Sequence, residues 1–131
     1  MLKFICHFFC YALLILTLFG LPAIVSAQDR VTVNQAIRFR PGAISARIAG
    51  RVVKGASHHY RVRARANQQM AVVLTTGDKT SFTVSVRNWG IIEGADGVRR
   101  CLIDLPESGE YLIEIGTDAT AANYSLEITI H

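Results

Sequence analysis

The sequence contains 131 residues, which is long enough for one domain and too short for two. Hydrophobic residues make up 50%, and 14 Lys and Arg against 10 Asp and Glu give a formal net charge of +4. We therefore expect one domain. We expect no nucleic acid partner, because no aromatic residues are interleaved with Arg61, Arg63 and Arg65 on their strand face.

The first segment has the features of a secretory signal peptide. Lys3 precedes an apolar run over residues 4–19, and Val25-Ser26-Ala27 supplies the small side chains that a signal peptidase reads. We therefore expect a signal peptide over residues 1–27 and one mature domain over residues 28–131. An exported protein of this kind is periplasmic or secreted.

The alternative for this segment is a membrane anchor that is never cleaved. The apolar stretch of residues 4–27 is long enough to span a bilayer. Gly20 and Pro22 interrupt it just before the small residues, which favours cleavage. Contact with a membrane is accordingly expected only if the segment is retained.

The cysteines indicate a domain without disulfides. Cys6 and Cys10 leave with the signal peptide, so Cys101 stands alone in the mature domain. A lone cysteine in an apolar strand pattern is expected to be a small buried hydrophobe. The alternative is an exposed thiol that pairs with another chain.

The charges are unevenly distributed along the chain. Residues 30–65 contain nine Lys or Arg and no acid, whereas residues 102–131 contain six Asp or Glu and no Lys or Arg. A basic half suggests nucleic acid, acidic polymers or a membrane surface as partners. The alternative is that basic and acidic strands lie side by side and pair their charges. The near-cancellation of the totals favours this alternative.

Beyond residue 28 the sequence alternates between apolar and polar residues with the period of a β-strand. The clearest segments are residues 60–65, 82–86, 101–105, 111–115 and 124–130, and Phe39 and residues 44–53 supply early strands. Turn-forming residues separate the segments at 41–42, 54–55, 67–68, 77–78, 88–97, 107–109 and 118–123. The pattern predicts an all-β fold, namely a single antiparallel β-sandwich or jelly-roll-like domain of about eight strands.

Residue patterns for chemistry are weak. His58 and His59 are neighbours on a strand and point to opposite faces, so they cannot easily hold one metal ion. Ser57 beside His58 does not make a triad, because a triad requires the base to reach the serine through space. We expect no catalytic residue, no metal and no cofactor. The protein is therefore expected to act by binding and not as an enzyme.

Several short motifs, taken in order along the chain, resemble a known family. They are Phe39-Arg40-Pro41-Gly42, Ser45-Ala46, Gly50, Tyr60, residues 64–68 and Leu105-Pro106-Glu107-Ser108-Gly109-Glu110-Tyr111. From residue 39 to residue 130 the sequence resembles the bacterial periplasmic inhibitors of g-type lysozyme, which have a similar Leu-Pro-x-Ser-Gly-x-Tyr hairpin. It is similar also to the β-sandwich modules appended to secreted peptidases, the prepeptidase C-terminal modules.

The same motifs have folding roles. Asn67 stands where the similar families have glycine, and asparagine is the next best residue for a positive φ. Pro106 ends the preceding strand. Tyr111 is expected to pack its ring inward and to form a hydrogen bond from its hydroxyl to the backbone of the turn.

The resemblance to the inhibitors implies a mechanism without chemistry, in which loops at one end of the sandwich enter the saccharide cleft of the lysozyme. Ser108, Gly109 and Tyr111 would then belong to an inserting loop or brace it. The partner would be a lysozyme, with the g-type suspected.

The sequence departs from the inhibitor family at the last hairpin. In the family this loop is longer and carries arginines suited to an acidic cleft, whereas residues 116–123 are short here. On this interpretation His58, His59, Arg99 or Arg100 would have to supply the positive charge.

The alternative hypothesis is an envelope module that binds a glycan or a protein and has no inhibitory activity. A glycan module needs an exposed aromatic platform, for which Trp89 is the candidate, although a hydrophobic cap on the end of the sandwich is the favoured interpretation of Trp89. An inhibitor should instead present a protruding, positively charged loop near Ser108 and Gly109.

Overall fold

The computed structural model describes residues 30–77 and 79–131, and the predicted signal peptide lies outside the described residues. These residues form two sheets that pack face to face, as predicted. The five-stranded sheet has the order β1-β3-β8-β5-β6 and the four-stranded sheet the order β2-β9-β4-β7. The nine strands are β1 (Arg30–Ala36), β2 (Ser45–Val53), β3 (Ala56–Ala64), β4 (Gln69–Thr76), β5 (Thr80–Val86), β6 (Gly90–Ile91), β7 (Arg100–Asp104), β8 (Gly109–Thr117) and β9 (Ala121–Ile130).

The start of the fold differs from the prediction. β1 was not predicted, and it pairs with β3 in parallel, whereas an antiparallel arrangement was expected throughout. Phe39 was predicted to lie on a strand and instead lies in the connection of residues 37–44, where its ring packs against the core. This connection crosses from one sheet to the other, so it cannot make a hairpin, and Pro41 has no N–H to donate to a ladder.

The core forms where the inner faces of the two sheets meet. Buried and less buried residues alternate along β5, β7 and β9, as a half-buried strand requires. The largest fully buried side chains include Tyr111, Phe82 and Met70. Cys101 is buried among them, which confirms its predicted role as a small hydrophobe, and burial raises the pKa of its thiol.

The basic and acidic halves of the chain lie beside each other, as the favoured interpretation of the charge pattern predicted. Arg61 pairs with Glu110 at 4.0 Å between β3 and β8, and Arg47 on β2 pairs with Glu127 on β9. These side chains are substantially exposed, so each pair adds little stability. The opposite charges instead remove cross-strand repulsion that a basic strand would otherwise meet.

A short chain of hydrogen bonds crosses the core between the two sheets. The hydroxyl of Tyr124 lies 2.6 Å from Nδ1 of His58 and 2.5 Å from the hydroxyl of Tyr60, and all three side chains are buried. The Tyr124 hydroxyl thereby links the imidazole of His58 to the hydroxyl of Tyr60. Burial lowers the pKa of His58 and, together with the bond to Tyr60, raises that of Tyr124, so both groups remain uncharged.

Gly50 makes room for this network. It lies opposite Tyr124 in the β2–β9 ladder, and the Tyr124 ring lies directly over it. A Cβ built on Gly50 would lie 2.5 Å from the Tyr124 hydroxyl oxygen, which is far inside van der Waals contact. The tyrosine therefore occupies the volume that a side chain on β2 would take.

We expect Gly50→Ala to lower the free energy of unfolding by about 1–3 kcal/mol, because the added methyl group displaces a packed ring from a hydrogen-bonded position. Urea denaturation followed by circular dichroism measures the change. Gly116→Ala is the matched control, since Gly116 also lies on a strand and has open space around its Cβ position. Equal effects of the two substitutions would contradict the proposed packing.

Neutral His58 also predicts a pH dependence of stability. In the unfolded chain imidazole titrates near pH 6.5, whereas burial lowers the pKa in the folded protein, so the unfolded state binds the proton first. The free energy of unfolding should therefore fall as the pH drops below about 6.5, and be insensitive to His58 above it. In urea denaturation at pH 8 and pH 5.5, His58→Asn should show a smaller fall than the wild type, and His59→Asn should not. An unchanged fall in His58→Asn would contradict a neutral, buried His58.

Candidate functional site

Four connections meet at one end of the sandwich, which we call the Ser108 end. They are the β1–β2 connection (residues 37–44), the β3–β4 turn (65–68), the β5–β6 turn (87–89) and the β7–β8 turn (105–108). Strand direction explains the meeting, because β1, β3, β5 and β7 all run towards this end. Residues far apart in sequence therefore share one surface.

Backbone hydrogen bonds fasten the β7–β8 turn to the β3–β4 turn. Asn67 donates to the carbonyl of Leu105 at 3.0 Å, and Leu105 donates to that of Gln68 at 2.9 Å. Ser108 Oγ accepts a bond from the backbone N–H of Ala66 at 2.8 Å. Asn67 has a φ of 67°, which confirms the predicted positive φ at this position. The exposed Ser108 turn is therefore held in one place relative to its neighbour.

Tyr111 supports the same turn from inside, as the sequence predicted. Its ring is fully buried, and its hydroxyl donates to the carbonyl of Glu107 at 2.6 Å and accepts from the N–H of Glu107 at 3.3 Å. Burial raises the pKa of Tyr111, so the hydroxyl keeps its proton. Tyr111 is a brace for the loop and does not itself reach a partner.

A groove of about 630 Å³ opens beside Ser108 and Gly109. Its walls carry the side chains of Arg63, on β3, and Arg87, in the β5–β6 turn. Asn88 closes one side by donating to a carboxylate oxygen of Glu107 at 3.2 Å. The groove thus combines two guanidinium groups with a fixed turn, and the carboxylates of Glu107 and Glu110 belong to its lining as well.

A second groove, of about 530 Å³, adjoins the β1–β2 connection at the same end. Arg38 and Arg40 from the connection line it together with Arg47, which is paired with Glu127. Arg65, in the β3–β4 turn, adds a further exposed guanidinium to this end. Positive charge therefore comes from arginines in or beside three different connections.

Sequence reasoning missed these arginines and assigned the positive charge elsewhere. A signal was present, since Arg38, Arg40, Arg65 and Arg87 each lie within three residues of a predicted turn. That the turns meet at one end follows only from the direction of the strands.

The structure does not bring the four predicted cationic residues to the Ser108 end. His58 needs correction most clearly: it is 5% exposed and bonded to Tyr124, so it cannot offer charge to a partner. His59, on the outer face of β3, lies 3.7 Å from a carboxylate oxygen of Glu114. The two histidines do point to opposite faces, as predicted, but they lie within β3 and not beside a turn.

Arg99 and Arg100 also lie away from Ser108. The carbonyl of Arg99 accepts a bond from Leu74, and its side chain lines a small cavity with Lys79 and Asp118 at the opposite end of the sandwich. Arg100 begins β7, the edge strand of the four-stranded sheet, and pairs with Val73 at the end of β7 away from the β7–β8 turn. Of the predicted site residues, Ser108, Gly109 and Tyr111 are together and the other four are not.

One cluster has the residue types of a catalytic triad without the geometry. Ser57 Oγ lies 3.3 Å from Nε2 of His59, and a Glu114 oxygen lies 3.7 Å from the same nitrogen. In a triad the serine contacts one ring nitrogen and the acid contacts the other, so that the acid holds the imidazole in the tautomer that accepts the serine proton. Here both contact Nε2, so the cluster is not a triad.

Within residues 30–77 and 79–131, no group of three or more His, Cys, Asp or Glu is placed to bind a metal ion. In the same part of the chain, no helix has the length and apolar character needed to cross a membrane.

Comparison with solved structures identifies proteins of the same fold. Aeromonas hydrophila PliG, a periplasmic lysozyme inhibitor of g-type lysozyme, is 25% identical and superposes with a TM-score of 0.70 over 79% of this chain and 99% of its own. Salmonella Typhimurium PliG is 20% identical, with a TM-score of 0.61 over 76% of this chain and 100% of its own.

A mutant of the Escherichia coli protein, PliG-Ec, is 18% identical, with a TM-score of 0.62 over 78% of this chain and 99% of its own. The predicted resemblance to periplasmic inhibitors of g-type lysozyme is therefore confirmed at the level of the fold. Neither the comparison with protein-family models nor that with curated proteins finds a match.

The brace under the Ser108 turn can be tested by removing one oxygen atom. Tyr111→Phe should lower the free energy of unfolding by about 1–2 kcal/mol, because the partly buried backbone of Glu107 loses its partner. Ser108→Ala should cost less, since Ala66 lies close enough to the surface to bond to water instead. Urea denaturation compares the two. A smaller loss for Tyr111→Phe than for Ser108→Ala would contradict the role of brace.

Proposed function

We propose that this protein is an exported inhibitor of a g-type lysozyme, which blocks the saccharide cleft of the enzyme with the Ser108 end and performs no chemistry. Residues 1–27 would direct export and be removed, and residues 28–131 would act in the periplasm or outside the cell. The observation that carries the proposal is a fixed, exposed turn at Ser108 and Gly109 flanked by arginines from three other connections.

Charge complementarity supports this target. Glycoside hydrolases cleave with a pair of Asp or Glu side chains, so their clefts carry negative charge where the bond is broken. Guanidinium groups bind carboxylates with two parallel hydrogen bonds, which gives both strength and orientation. Arg40 and Arg87 are exposed and follow β1 and β5, which lie on opposite sides of β3 in the five-stranded sheet, so they would meet the two walls of such a cleft.

The rigidity of the Ser108 turn supports inhibition by insertion. A loop that is ordered before binding loses less conformational entropy on entering a cleft than a flexible loop does. Ser108 and Gly109 are exposed, while the bonds of Ala66 and Tyr111 hold the backbone beneath them. The names of the solved neighbours agree with this target, since each is described as an inhibitor of g-type lysozyme.

The inhibitory site can be tested by reversing charges at each end of the sandwich. Purified protein should inhibit cell-wall lysis by a g-type lysozyme at near-equimolar ratios, and c-type and i-type enzymes much less. Arg40→Glu with Arg87→Glu should weaken inhibition at least tenfold, because like charges would then face the cleft. Arg99→Glu with Arg100→Glu makes the same change in charge away from Ser108 and should alter inhibition less than twofold.

Two results would contradict the proposal. One is the absence of inhibition of any lysozyme class by folded protein at large excess. The other is an equal loss of inhibition in both charge-reversal variants, which would indicate a response to net charge and not to the Ser108 end. Circular dichroism of each variant establishes that it is folded.

A further inference from the structure

A groove with apolar side chains lies along the open edge of the sandwich, where the last strands of the two sheets face each other. β6 ends the five-stranded sheet and β7 ends the four-stranded sheet. The groove has a volume of about 500 Å³, and we call it the Trp89 groove. It is lined by Trp89, Ile91, Leu102 and Pro106, with Glu93 and Asp104 at its rim.

The groove exposes apolar side chains that the core does not use. Trp89 is 64% exposed, Ile91 56% and Leu102 62%, so the suggestion that Trp89 caps the sandwich is wrong. Single exposed hydrophobic residues are common, but here three of them line one groove beside polar groups. The exposed aromatic platform that a glycan-binding protein requires is therefore present.

The groove is held in shape by backbone bonds beside the five-stranded sheet and by a side-chain bond on the four-stranded sheet. Trp89 donates to the carbonyl of Val86 at 3.3 Å, and Ile92 donates to that of Val84 at 2.9 Å. Gly90 completes the turn with a φ of 70°, a conformation that residues with a Cβ rarely adopt. Gln69 donates to a carboxylate oxygen of Asp104 at 3.2 Å and orients it.

The rim favours a ligand that donates hydrogen bonds and carries no negative charge. Ionised Glu93 and Asp104 only accept hydrogen bonds, and they repel anions. The face of the Trp89 ring is negative and attracts the weakly positive C–H groups of a flat, saturated ring. A neutral pyranose offers both features, since hydroxyl donors surround a face of C–H groups.

We propose that the Trp89 groove binds a neutral oligosaccharide, with one sugar ring stacked on Trp89 and hydroxyl groups bonded to Glu93 and Asp104. The volume lies within the range of small-ligand sites, about 300–1,000 Å³. A stable protein interface needs about 800 Å² from each partner, which three partly exposed apolar side chains do not supply. A sugar fits the groove better than a second copy of the chain or another protein does.

This site shares no lining residue with the groove beside Ser108, although Trp89 and Pro106 belong to the β5–β6 and β7–β8 turns of the Ser108 end. Carboxylates occur in both grooves, but arginines line only the groove beside Ser108. Saccharide binding therefore does not depend on inhibition, and either can fail alone.

Trp89 is the single tryptophan of the sequence, so tryptophan fluorescence reports on this groove. The experiment uses protein purified after expression of the full sequence. It is titrated with neutral oligomers of N-acetylglucosamine, β-1,4-glucose, α-1,4-glucose and mannose, and with anionic oligogalacturonate. We expect a saturable blue shift of the emission with at least one neutral oligomer and at least tenfold weaker binding of the anionic one.

Calorimetry with substituted proteins locates the binding. Trp89→Ala should weaken binding of that oligomer at least tenfold, and Asp104→Asn should weaken it severalfold. Ile44→Ala removes an exposed hydrophobic side chain that lies outside the groove and should leave binding unchanged. Lysozyme inhibition, measured on the same proteins, should be retained in Asp104→Asn.

Three outcomes would overturn the proposal. They are the absence of any response to the neutral oligomers, unchanged affinity in Trp89→Ala, and an emission shift that depends on protein concentration without sugar. The last would identify a second copy of the chain as the occupant. None of these outcomes bears on inhibition of lysozyme.

Discussion

Every second side chain of a strand can enter the core, and this constraint determines both the interior and the surface of the protein. Inward positions supply the rings of Tyr111 and Phe82, which the opposite sheet covers. The intervening positions must face water, and on β3 they carry Arg61 and Arg63. Placing acidic β8 beside β3 then neutralises a face that would otherwise repel itself.

Strand direction brings connections that are far apart in sequence onto one surface. Connections that follow β1, β3, β5 and β7 meet at one end because these strands run the same way. Arginines near three of the connections thereby surround a turn braced by Tyr111. The surface that we propose for lysozyme is made in this way and needs no long loop.

Features that depend on neighbouring residues could be predicted from the sequence. The alternating strands, the positive φ of Asn67, the bond from Tyr111 to the turn and the burial of Cys101 were all predicted correctly. Features that depend on which strands become neighbours were not. The parallel β1–β3 pair, the meeting of the arginines and the bond between His58 and Tyr124, 66 residues apart, follow from topology that local patterns do not encode.

The glycine beneath Tyr124 has a consequence for how this sequence can diverge over time. A larger residue at position 50 becomes tolerable only after a smaller side chain has replaced Tyr124. A smaller side chain at position 124, however, leaves His58 without its hydrogen-bond partner. The three positions are therefore coupled, and drift through them must follow a particular order of replacements. Related chains should either keep all three residues or have exchanged them as a set.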